Sequence, residues 1–174
     1  MQYTFQAAAN AAQVSADCVI VAIYKDGRLS DAAQQIDDNS QGKLKAFLEL
    51  GDFNGEKSGS QLQYDMEGVS AKRVLLVGLG DKASLTQEIL AQATLNAARQ
   101  LKAKKVGSVV SFLTDECADE HRPAAVRQSI QAVAQALYDF SAYKSKKDAK
   151  QPSLENWTVA HTEAGDLSDD VQKG

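Results

Sequence analysis

Four consecutive apolar residues, Val74, Leu75, Leu76 and Val77, followed by Gly78-Leu79-Gly80, constrain this chain more than any other stretch. An apolar run this short, without period-2 alternation, suits a strand buried on both faces, as in mainly parallel sheets covered by helices. The glycines are expected to end the strand. Ser84, with Gln87 three residues on, fits a capping box that opens a helix. In that helix Ile89, Leu90, Ala93, Ala97 and Leu101 share one stripe. Residues 106–113 repeat the buried-strand pattern and complete a β-α-β crossover, expected to be right-handed.

The rest of the chain adds layers to this unit. Residues 2–7 alternate around Tyr3 and Phe5 and read as a strand with one wet face. Residues 18–24, CVIVAIY, are apolar throughout and read as a central strand. Ser30 can cap a short helix running through Ile36, and Leu44, Phe47 and Leu48 mark another. Residues 53–60 carry two glycines and read as a mobile loop, and 61–66 alternate as a strand toward a sheet edge. Pro123 fits the first turn of a helix whose apolar face is Val126, Ile130, Val133 and Leu137. A basic, solvated linker at 144–150 precedes a last strand at 157–160. Ser168 then offers a helix start close to the final residue.

With 174 residues, 44% of them hydrophobic, the chain can bury one good core and is most simply a single domain. A formal net charge of -4 gives no global pull toward nucleic acid or anionic lipid. The N-terminus lacks a basic and then apolar leader pattern, and no apolar run reaches the ~18 residues of a membrane span. Two cysteines a hundred positions apart, Cys18 and Cys117, do not make a disulfide framework. A cytoplasmic protein with no membrane partner is expected.

Little in the chain reads as chemistry. Residues 78–83 satisfy the loose pattern GxGxxA, and a helix start behind such a turn can hold a phosphate. However, Asp81 places a negative charge there, and the acidic residue needed about 20 positions on is replaced by Arg99-Gln100-Leu101-Lys102. Asp115, Glu116, Cys117, Asp119, Glu120 and His121 gather donors without the paired spacing of a zinc site, which favours a solvated acidic loop. Cys117 has acidic neighbours that raise a thiol pKa. His161, after the last strand, is expected to be exposed. No catalytic, cofactor-binding or metal-binding residue is assigned.

Residues 16–37 (ADCVIVAIYKDGRLSDAAQQID), 72–88 (KRVLLVGLGDKASLTQE) and 137–147 (LYDFSAYKSKK) together resemble the N-terminal domain of the cytosolic leucyl aminopeptidase family, its bacterial aminopeptidase A branch in particular. The resemblance implies a macrodomain-like, three-layer α/β/α fold with a mixed, mainly parallel sheet. It sets a domain at 1–162 and the truncated start of an interdomain helix at 163–174. It also implies that this domain is not the catalytic part. In the family, two divalent ions (Zn, Mn or Mg) lie in a following domain, whose signature Asn-Thr-Asp-Ala-Glu-Gly-Arg-Leu does not occur here. The implied partners are that C-terminal catalytic domain and the other subunits of a homo-hexamer, with this domain aiding assembly and controlling access to the active sites. Some bacterial members also bind DNA. Lys102, Lys104 and Lys105 with Lys144, Lys146, Lys147 and Lys150 are the residues that could do so here, and binding is expected to be weak. A nucleotide- or ADP-ribose-binding module is the other alternative.

Overall fold

The computed structural model describes residues 1–141 and 154–162. Its centre is β2 (Cys18–Tyr24), every residue of which is buried. β5 (Arg73–Gly80) runs parallel to β2 on one side, and β6 (Ser108–Ser111) runs parallel to it on the other. The sheet then continues from β6 through β7 (Asn156–His161) to β1 (Gln2–Ala7), both pairings being parallel. On the opposite side β4 (Ser60–Tyr64) closes the sheet antiparallel to β5, and the two-residue β3 (Arg28–Leu29) folds back on β2. The resulting order is β1-β7-β6-β2-β5-β4. The 61–66 stretch, expected as a strand toward an edge, supplies β4 at one edge of the sheet, although the strand ends at Tyr64.

Alternation along the buried strands divides the interior into two cores. Ile20, Ala22, Leu75, Val77 and Trp157 face α3 (Gln87–Lys102) and α4 (Arg122–Ser141), whose Leu90, Ala98, Leu101 and Val133 fill that side. Val19, Val21, Ile23, Val74 and Leu76 face α1 (Asp31–Asn39) and α2 (Lys43–Glu49) through Ala33, Ile36 and Leu44. The architecture is therefore helix, sheet, helix: a three-layer α/β/α fold with a mixed, mainly parallel sheet.

Local starts and stops follow side-chain chemistry, with some shifts from expectation. Ser30 caps α1 by accepting from the Ala33 N–H at 3.2 Å, but the helix runs on through the polar cluster to Asn39. α3 is capped by Thr86, not Ser84: the Thr86 hydroxyl accepts from the Ile89 N–H at 3.2 Å. Ser84 is instead taken into a 3-10 turn (Lys82–Ser84) that Asp81 caps. Gly78 lies inside β5, and the strand ends at Gly80. β6 is shorter than the 106–113 run, because Leu113 enters a 3-10 turn (Leu113–Glu116).

At the amino ends of the strands one side chain ties three elements together. Asp17 Oδ2 accepts from the Gly107 and Ser108 N–H groups at 2.9 and 3.2 Å, and Oδ1 meets Lys72 Nζ at 2.9 Å. The Lys72 hydrogen bond, helped by those two backbone donors against partial burial, holds the Asp17 carboxyl below the usual range. Among the described residues no helix is long and apolar enough to cross a membrane.

Candidate functional site

In an open α/β sheet the natural crevice lies beyond the carboxyl ends of the strands, where neighbouring strands send their connections to opposite faces. Here that point falls between β2 and β6: β2 leads on to α1 on one face, and β6 leads to α4 on the other. Tyr24, the last residue of β2, is buried there and donates its hydroxyl hydrogen to Glu116 Oε2 in a very short contact. Lys82 closes the top, its ammonium 5.4 Å from the centroid of the Tyr24 ring. Burial pushes the Glu116 carboxyl above its usual range. The Tyr24 hydroxyl and Lys82 pull it back, and Asp115 and Asp31 raise it further. The Tyr24 hydroxyl is pushed up as well, by burial first and by Glu116 second.

This arrangement has a definite pH signature. A carboxyl whose folded pKa is raised binds more protons folded than unfolded, so its stabilising contribution is full below its ordinary value near 4.5 and is lost as pH climbs through the folded value. Glu116→Gln, which keeps an acceptor for Tyr24 but cannot ionise, is expected to raise Tm near pH 7.5 and leave it unchanged at about pH 4. Thermal denaturation at both pH values checks this; equal shifts at the two would show that ionisation is not the cause.

A second buried polar group sits beside the first. Asp115 Oδ2 accepts from the Thr162 N–H at 3.1 Å and its hydroxyl at 2.6 Å. Asp115 Oδ1 lies 3.7 Å from His161 Nδ1 and 3.9 Å from Arg122 Nη2. Arg122 Nη2 also reaches Asp119 Oδ1 at 2.7 Å. His161, expected to be exposed, is fully buried: β7 runs one residue further than the sequence pattern indicated, pairs His161 with Ala7, and stacks the imidazole on Phe5 with centroids 6.0 Å apart. The acidic stretch is therefore not simply a solvated loop. Asp115 and Glu116 turn inward, while Glu120 and His121 stay outside, 3.3 Å apart.

The other sequence candidates resolve plainly. The N–H groups of Gly78 and Gly80 donate to the carbonyls of Gly59 and Gly55 at 2.8 and 3.0 Å. The Asp81 side chain accepts from the Ala83 N–H at 3.1 Å. Three donors that a phosphate would need are thus taken up inside the chain. Burial is the main cause that raises the Cys117 thiol, and it pushes Cys18 up to about 12, so neither is poised as a nucleophile. Lys102 donates to the Leu137 carbonyl at 3.1 Å. Lys104 and Lys105 are exposed just beyond α3, and Lys144, Lys146, Lys147 and Lys150 lie outside the described residues. Among the described residues no three His, Cys, Asp or Glu side chains converge to hold a metal ion. Among the described residues no donor set fits the two divalent ions implied by the resemblance.

The family model for the N-terminal domain of the cytosol aminopeptidase family matches residues 20–147. The chain belongs to that family. A curated relative, named Probable cytosol aminopeptidase, from Acidithiobacillus ferrooxidans, is 37% identical over 150 residues, covering 86% of this chain and 30% of the relative. One of the same name from Stenotrophomonas maltophilia is 36% identical over 166 residues, covering 94% and 33%. The chain thus spans about a third of the length of these curated relatives. In fold it is similar to a tomato leucine aminopeptidase, with a TM-score of 0.74 at 17% identity, covering 99% of this chain and 35% of that one. It is also similar to an Oceanobacillus iheyensis macrodomain, with a TM-score of 0.69 at 15% identity, covering 97% and 88%. A third neighbour is a Trypanosoma brucei macrodomain in complex with ADP-ribose, with a TM-score of 0.66 at 12% identity, covering 98% and 66%. At these identities the likeness is one of fold, and the fold of this N-terminal domain is macrodomain-like.

Proposed function

We propose that this chain is the non-catalytic N-terminal domain of a two-metal leucyl aminopeptidase, in which a following domain removes N-terminal amino acids from peptides. In this reading the two divalent ions (Zn, Mn or Mg) belong to that following domain. The partners of this domain are the catalytic domain and other copies of the subunit, and its work is hexamer assembly and control of access to the active sites. The observation that carries the reading is the family match over 20–147 in a chain spanning about a third of its relatives. The interior supports it, since Tyr24 and Glu116 engage each other and Asp115 engages Thr162, Arg122 and His161 within the domain. ADP-ribose is not carried over from the macrodomain neighbour, because the glycine-turn donors are already bonded.

The chain alone is expected to show no aminopeptidase turnover on leucine p-nitroanilide with added Mn or Zn, because two ions about 3.5–4 Å apart need a ligand set that the described residues do not assemble. Metal-dependent turnover that co-purifies with the chain through successive columns would overturn the reading.

A further inference from the structure

We infer that the free edge of β4 is a pairing surface for a second copy of this chain. In the antiparallel ladder with β5, Asp65 N–H donates to Lys72 and Gly78 N–H donates to Gly59. Both fit the register that pairs Ser60 with Val77 and Tyr64 with Arg73. Hydrogen-bonded positions alternate along such a ladder. Residues 59, 61, 63 and 65 therefore bond inward, and Ser60, Leu62 and Tyr64 direct their N–H and C=O groups outward. Among the described residues no strand pairs with that outer side.

Exposed edges are normally blunted by a lysine, a proline, a bulge or an inward-pointing charge. Ser60–Tyr64, SQLQY, has none of these, and its register with β5 is unbroken. Its sequence is also self-complementary about Leu62. An antiparallel second copy on a two-fold axis there sets Leu62 against Leu62, Ser60 against Tyr64 and Gln61 against Gln63. The outward-facing residues 60, 62 and 64 then fall at hydrogen-bonded positions of the new ladder, and the two glutamine pairs fall at the closer, non-bonded ones. An amide side chain both donates and accepts, so it can pair with its own copy without repulsion.

α3 repeats this chemistry beside the edge. Gln92, Asn96 and Gln100 recur at i, i+4 and i+8 along one side of the helix. Gln92 Nε2 donates to Asn96 Oδ1 at 3.1 Å, and the Ser60 hydroxyl donates to Gln100 Oε1 at 2.7 Å. The two-fold axis keeps α3 of both copies on the same side of the continued sheet, so one uncharged amide stripe approaches another. A charged peptide would find no opposite charge on this strand, whereas a second copy finds its own amides. The pairing needs only this chain and stands apart from any activity of a following domain.

Sedimentation of the chain up to about 500 µM is expected to show a weak dimer, since a strand-edge contact lies at the small end of specific interfaces. Amide exchange at Ser60, Leu62 and Tyr64 should slow with concentration, while Gln61 and Gln63 stay protected throughout. Tyr64→Pro removes one outward donor without touching the ladder to β5, and Leu62→Lys sets like charges on the axis. Each should raise the dissociation constant about tenfold or more. Mixing Leu62→Lys with Leu62→Glu should restore association, which a merely misfolded variant would not do. A chain that stays monomeric, a dimer indifferent to both single substitutions, or a charge-swapped pair that fails to associate would each overturn the inference.

Discussion

Gly78→Ala is expected to destabilise the domain by roughly 3 kcal/mol, at the upper end of what overpacking usually costs. A Cβ at this position would lie 2.0 Å from the Glu56 carbonyl oxygen and 2.9 Å from the Gly55 carbonyl carbon, both backbone atoms that cannot rotate away. The 54–59 loop would have to lift, and the Gly78-to-Gly59 and Gly80-to-Gly55 hydrogen bonds would stretch with it. Gly51 is the control: no atom lies within 4 Å of its Cβ position, and only its φ of +84° resists a side chain. Gly51→Ala should cost nearer 1 kcal/mol. Thermal melts of the two variants decide this, with a drop in Tm of roughly 6–12 °C for Gly78→Ala. Equal drops would mean that the 54–59 loop yields without cost and that close approach does not explain the glycine at 78, which has no positive φ.

The second large effect is expected at Trp157. Its side chain is fully buried in the core shared with α3 and α4, on a strand flanked by β6 and β1. Trp157→Ala removes the largest fully buried side chain and should cost about 3–5 kcal/mol. Among the described residues the buried indole Nε1 has no hydrogen-bond partner. Trp157→Phe loses volume but also removes an unsatisfied donor, so it should cost much less, about 1 kcal/mol. Urea denaturation of both variants measures the difference; a phenylalanine variant as damaged as the alanine one would show that the N–H is satisfied after all.

Much of the sheet was legible in the sequence, and the polar interior was not. Residues 18–24 and 74–77 are apolar on both faces, and that alone places them centrally in a covered sheet. Residues 61–66 alternate, and the strand lies at the edge. The boundary errors have local causes. Asp81 captures the Ala83 N–H and so diverts Ser84 into a 3-10 turn, leaving Thr86 to start α3. Gly78 and Gly80 look like chain breakers in a pattern, yet their missing side chains serve the close approach of the 54–59 loop. Tyr24, Glu116, Asp115 and His161 meet across more than 90 residues of sequence in the Tyr24–Glu116 pair alone. No periodicity encodes such a meeting. The one available hint was the tyrosine ending an otherwise aliphatic buried strand, because a buried phenol needs an acceptor.

The pairing of β1 with β7 sets the order in which the chain can fold. Gln2 lies opposite Asn156, and the Thr4 and Thr158 hydroxyls meet at 2.6 Å across 154 positions of sequence. Of the strands described, β1 is made first and has no partner until almost the last described residue has emerged. At synthesis rates of about 5–20 residues per second, its apolar positions, Tyr3 and Phe5, wait for many seconds. Closing so long a loop is slow in a refolding experiment as well, where non-local pairing dominates the rate. The β2-β5 pair can form much earlier, so the sheet should grow outward from its centre, with the N-terminal strand docking last.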